Sequence, residues 1–133
     1  MSKKIDTKLE EKFNKALALR DQNEIEKATS LLYELITEYP EFPLAYGHLA
    51  EILWKQGKTE QASFYFRIVT EMIPRSKLAS LGLFHMLWKM EDYQAALNEI
   101  KRFGKAGGKC VDYQEIIEEL KTKKMIDDDF NWL

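Results

Sequence analysis

A chain of 133 residues, with 20 Lys plus Arg against 22 Asp plus Glu, 45% apolar side chains and the single Cys110, is the size of one ordinary domain and contains no intramolecular disulfide. At about this length folding buries roughly two-thirds of the unfolded chain's surface, so neither a disulfide nor a metal is required to hold it together. A net charge of −2 removes the bulk electrostatic reason to condense on nucleic acid or acidic lipid.

The N-terminal residues Met1 to Asp6 run into charge rather than into an apolar core, so no secretory leader is expected and the cytoplasm is the default. Glycine is scarce through the first hundred residues while Ala, Leu, Glu and Lys are abundant, and apolar residues recur at three- and four-residue spacing. That pattern predicts helices, at about 7–21, 24–39, 43–56, 59–72, 77–90, 93–105 and 111–125. The longest mostly apolar stretch, Leu78 to Trp88, is broken by His85 and falls short of the roughly 18 residues a membrane span needs.

Start and stop signals accompany several of these helices. Thr7 with Glu10, Asn23 with Glu26 and Asp112 with Glu115 each have the spacing of a capping box, in which a carboxylate reaches back to the cap's free amide. Pro43 suits a first helical position, and Pro40 and Pro74 end the helices before them. Tight turns are expected at Asn23, Gly57 and Glu91.

An internal repeat organises the pattern. Ala28, Ala62 and Ala96 stand 34 residues apart, and the same shift relates Leu19, Leu53 and Leu87; Leu32, Phe66 and Ile100; Leu35, Val69 and Phe103; and Pro40, Pro74 and Gly108. A period of this length implies stacked helical hairpins that share one core, because a single hairpin cannot bury its apolar face alone. Small residues at 28, 62 and 96 let the paired helices approach.

Within Pro43 to Pro74, the residues Tyr46, Leu49, Ala50, Leu53, Gly57, Ala62, Phe66 and Pro74 fall in a pattern that resembles a tetratricopeptide repeat. Val69 is a little larger than the usual Ala. The flanking repeats match less well, with Lys15 and Asn23 in the first and Phe84 and Gly108 in the third replacing pattern residues. The resemblance spans about residues 8–108 and implies an all-α, right-handed superhelical stack of three such hairpins, at about 8–41, 42–75 and 76–108. A C-terminal capping helix at about 111–125 completes one domain over 1–126. Ile116, Ile117 and Leu120 are expected to cover the last hairpin, and 127–133 forms an acidic tail carrying Phe130 and Trp132.

The resemblance also implies a site. In such arrays the first helix of each hairpin lines a concave groove, which places Phe13, Leu17 and Arg20, then Leu44, Glu51, Trp54 and Lys55, then Leu78, Leu81, His85, Trp88 and Lys89 along it. Trp54 and Trp88 repeat with the period, and each sits beside the apolar seam, so either partner binding or internal packing is open to them. The Lys and Asn clamp that some of these arrays use for a C-terminal carboxylate is missing: its places hold Phe13, Leu17, His48, Leu81 and His85.

No motif supplies catalytic chemistry. Gly104 to Cys110 lacks the spacing, the Ser or Thr and the preceding strand of a phosphate loop, and His48 and His85 have no Cys or carboxylate at ligand spacing. Nothing places Cys110 or a Ser beside a base, and Lys101, Arg102, Lys105 and Lys109 form a local basic cluster in a chain rich in Lys and Glu. The expectation is therefore a non-catalytic protein-binding module without cofactor or metal, monomeric or a weak homodimer. Its partner is another protein, such as a toxin in an immunity role or a secreted client in a chaperone role, and not nucleic acid or membrane. The alternatives are a self-assembling scaffold and, less favoured, a small enzyme.

Overall fold

A computed structural model describes residues 3–131. Among them seven helices follow in order: α1 (Lys3–Asp21), α2 (Ile25–Glu38), α3 (Pro43–Lys55), α4 (Thr59–Met72), α5 (Lys77–Lys89), α6 (Tyr93–Lys105) and α7 (Val111–Thr122), and no strand occurs. From α1 to α6 each helix packs on the next in sequence, which makes an all-α stack of hairpins α1/α2, α3/α4 and α5/α6.

The repeat positions form the core. Ala28, Ala62 and Ala96 are each 0% exposed, as close helix crossing requires. Leu32, Phe66 and Ile100 are buried in the next register, and Leu35, Val69 and Phe103 in the one after it. Leu53 and Leu87 are buried while Leu19 is only half covered, because the first hairpin has a neighbour on one side alone.

The turns are built by backbone geometry rather than by capping boxes. Asn23, Gly57, Glu91, Gly107 and Lys124 have φ of 64°, 77°, 62°, 89° and 56°. Each closes its helix with a paired reverse hydrogen bond, as where the Asn23 N–H donates to the Arg20 carbonyl at 2.9 Å and the Glu24 N–H to the Leu19 carbonyl at 2.8 Å. This left-handed closure satisfies two carbonyls that the helix end leaves unpaired. Asn23 therefore ends α1 instead of opening α2, since Asn tolerates the left-handed region better than most residues.

The other two expected boxes also fail. Thr7 lies inside α1, which begins at Lys3, and Asp112 is the second residue of α7, whose N-cap is Cys110. Side-chain caps come instead from Ser76, accepting from the Ala79 N–H at 3.2 Å, and from Asp92, accepting from the Ala95 N–H at 3.3 Å. Pro43 is the first residue of α3, and α2 and α4 end just ahead of Pro40 and Pro74.

Helix α7 docks through residues the periodicity did not single out. Tyr113 is 0% exposed and meets Phe84 and Phe103 edge-on at centroid distances of 5.7 and 5.5 Å. Its hydroxyl lies 2.7 Å from Ser80 Oγ, which donates to Glu99 Oε2 at 2.6 Å. Arg102 donates to both Glu99 oxygens at 2.7 Å and to the Pro74 carbonyl at 3.1 Å. A carboxylate 5% exposed is thus neutralised by a two-pronged guanidinium contact, the geometry that offsets its desolvation. Burial pushes the Tyr113 phenol well above its ordinary pKa, so it stays a neutral donor.

Ile117 and Leu120 are buried and Ile116 half-buried on the same helix, while Glu115, Glu118 and Glu119 face water. The segment after α7 turns back: Ile126 and Phe130 pack against the core, with the Lys101 ammonium 5.2 Å from the Phe130 ring centroid. Trp132 lies outside the described residues.

Candidate functional site

The first helices of the three hairpins, α1, α3 and α5, carry the expected groove residues in unequal environments. Leu44, Trp54 and Leu78 are 54%, 47% and 70% exposed. Lys55, His85 and Lys89 are exposed too, whereas Phe13, Leu17, Arg20, Glu51, Leu81 and Trp88 are half-buried.

At the centre, between α3, the end of α4 and the start of α5, lies an apolar cavity of about 150 Å³. Leu44, Ile73 and Leu78 stand around it, Phe66, Val69 and Ala79 also line it, and His48, Glu51 and Ser76 supply its polar groups. Beside it a second cleft of about 420 Å³ is lined by Arg20, Asp21, Lys55 and Gln56 among others. Glu51 belongs to both linings, so one carboxylate stands where an apolar hollow meets a polar one.

Toward the first hairpin the groove is filled. Phe13 packs edge-on against Phe42, with centroids 5.1 Å apart, and lies 5.4 Å from the His48 ring. Arg20 Nη1 donates to His48 Nδ1 at 2.8 Å, which requires that nitrogen to be unprotonated and the imidazole neutral. Burial holds the His48 pKa below its ordinary value, opposed by the Glu51 carboxylate 4.0 Å from Nδ1. Arg20 also contacts Asp21 Oδ1 at 3.1 Å.

Toward α7 the two tryptophans part company. Trp88 stacks on Phe84 at 5.7 Å and meets Tyr93 at 4.6 Å, so much of its surface serves internal packing. Trp54, at the equivalent place one repeat earlier, leaves nearly half its surface in water. Although the His85 side chain is exposed overall, partial desolvation beside α7 lowers its pKa, and the Asp112 carboxylate of α7 pulls it back up.

Sequence reasoning missed Ile73 and Ser76 as walls of the central cavity. Both lie between helices, outside the first-helix register that the resemblance supplies, and the one available signal was an apolar residue directly ahead of Pro74. The site has no nucleophile paired with a base. Ser80, the one serine held by a carboxylate among the described residues, is 0% exposed. Cys110 is 3% exposed. Among the described residues no group of three or more His, Cys, Asp or Glu is placed to hold a metal ion, and no helix is long and apolar enough to cross a membrane.

Comparison with known proteins shows what this stack is similar to. Residues 19–81 match the tetratricopeptide repeat family model. Over the solved structures, the chain is similar to the Sgt2 TPR domain from Aspergillus fumigatus, with 17% identity, 93% of this chain and 87% of that one covered and a TM-score of 0.67. It is similar to MamA from Desulfovibrio magneticus RS-1, with 21% identity, 75% and 56% coverage and a TM-score of 0.65. A third likeness is to PilF of Pseudomonas aeruginosa, at 24% identity, 77% and 47% coverage and a TM-score of 0.64.

The tetratricopeptide match thus covers residues 19–81, and the whole chain has the fold of a small array of such hairpins. It spans 56% of the length of that MamA structure and 47% of the PilF structure. No curated protein sequence matches it. The fold is in general a scaffold for protein–protein interaction rather than for catalysis, and the family shares an architecture and not a ligand.

Proposed function

We propose that the chain is a non-catalytic binding module that holds a segment of another protein across α1, α3 and α5. The observation that carries this is the cluster of Leu44, Ile73 and Leu78, which are 54%, 44% and 70% exposed around one apolar cavity. Apolar side chains gathered in the open mark an interaction surface more often than isolated ones do. Phe13, Leu17, Arg20, Glu51, Trp54, Lys55, Leu81, His85 and Lys89 flank this centre as further contacts, and Trp88 serves by holding the wall in place.

Within this reading toxin neutralisation is preferred to chaperoning of a secreted client, because a hollow of fixed shape suits a folded, complementary partner. It calls for a one-to-one complex with the folded partner, where a chaperone binds an unfolded segment.

The test is affinity capture followed by titration of the purified partner against wild type and a Leu44→Glu, Leu78→Glu double variant. Two charges in the apolar centre are expected to weaken binding at least about a hundredfold, as loss of central anchors does. Undiminished affinity from a folded double variant refutes the groove.

A further inference from the structure

The central cavity has an origin in the repeat itself. The 34-residue shift relates Phe13 to Gly47 and Leu81, and Phe42 to Ser76 and Cys110. Between the first and second hairpins the two aromatic rings meet at 5.1 Å and close the groove. Between the third hairpin and α7 the pair is Leu81 with Cys110, the latter 3% exposed. At the middle junction both members are small, and a Cβ at Gly47 would meet no heavy atom within 4 Å. The cavity of about 150 Å³ lies where the other junctions carry their own side chains.

We infer that this hollow is an anchor pocket for one branched aliphatic or aromatic side chain of the partner, flanked by a Lys or Arg of the same segment. The inference deepens the groove reading and rests on it. Size sets the anchor, since an apolar cavity of this volume holds a group about as large as benzene. Charge sets its neighbour. Glu51 is the one formally charged side chain on the lining, His48 is neutral because its Nδ1 accepts from Arg20, and Arg20 is engaged by Asp21. With His48 neutral, no described cation lies within 4.0 Å of Glu51, and Arg20 and Lys55 line the cleft on its other side rather than the hollow. A partner cation one helical turn from the anchor supplies the missing charge, as amphipathic helices in grooves do.

Random peptides displayed on phage and selected on the full chain test this. Enriched peptides are expected to share one Leu, Ile or Phe with a Lys or Arg three or four residues away. Gly47→Leu, which returns to the hollow the side chain found at position 81, is expected to weaken them about tenfold or more while remaining folded. Glu51→Gln is expected to cost about threefold at low salt and less at physiological salt. Peptides that bind Gly47→Leu as well as wild type but fail on Leu78→Glu overturn the anchor pocket and leave the groove standing. A consensus without the basic residue, or indifference to Glu51→Gln, overturns the charged flank. Peptides indifferent to all three variants overturn pocket and groove together.

Discussion

Two glycines on first helices make the sharpest test of the packing, because one substitution should act in opposite directions at them. Gly47 in α3 and Gly82 in α5 both occupy helix interiors, where Ala is favoured over Gly by about 1 kcal/mol. At Gly47 nothing lies within 4 Å of the added methyl, so Gly47→Ala collects that gain in full. At Gly82 the methyl would sit 2.6 Å from two atoms of the Phe66 ring, which is itself 3% exposed and hemmed in by the core. Relieving such an overlap costs about 1–3 kcal/mol. Net of propensity, Gly82→Ala should be destabilising by up to about 2 kcal/mol, and the two variants should differ by about 1–3 kcal/mol. Urea unfolding followed by far-UV circular dichroism reads this as a higher midpoint for Gly47→Ala and a lower one for Gly82→Ala at unchanged slope. Two variants that shift in the same direction, or a Gly82→Ala more stable than wild type, would refute the account of why α4 and α5 approach so closely.

Other expected outcomes address the turns, the buried network and pH. Glu91 adopts φ 62° where the second repeat has Gly57 at 77°, so Glu91→Gly should raise stability by about 0.5–1 kcal/mol, read as a higher melting temperature. Glu99→Gln leaves the Arg102 charge against a largely buried neutral amide and should cost about 3 kcal/mol in urea unfolding; Tyr113→Phe, which leaves the Ser80 to Glu99 bond in place, should cost only about 1 kcal/mol. His48, which is half-buried, and His85, whose exposed side chain is only partly desolvated, both have pKa values below the ordinary 6.5. The unfolded chain then takes up protons first, so stability is full above about pH 6.5 and falls as pH drops through the window beneath it. Urea titrations at stepped pH should show that slope reduced in His48→Gln, and an equal slope in the variant would remove His48 from the explanation.

Much of the architecture was legible in the order of residues. Helices repeat 3.6 residues per turn, hairpins repeated at 34, and Ala28, Ala62 and Ala96 proved to be equivalent buried crossings. Helix starts were less legible. The three expected capping boxes had the right spacing, but Asn23 went to a left-handed helix end, Thr7 was overrun by a longer α1, and α7 began one residue ahead of Asp112. Local hydrogen-bonding choices of this kind are nearly degenerate in energy, and neighbouring contacts decide among them.

The candidate site divided in the same way. Periodicity placed Leu44, Leu78, Trp54 and Trp88 on first helices, but it could not say that Trp88 would be held by Phe84 and Tyr93 while Trp54 stayed open. Nor could it find Ile73 and Ser76, or the Tyr113, Ser80, Glu99 and Arg102 chain that docks α7.

What the order of residues settled alone was helical character, hairpin pairing and period, since these depend on contacts only a few residues apart. The neutral His48 was decided by Arg20, 28 residues away, the buried Glu99 by Ser80, 19 residues away, together with its neighbour Arg102, and the hollow at Gly47 by α4 and α5 closing around α3. Cavities and buried charges are properties of the surroundings, and surroundings exist only once the hairpins have stacked.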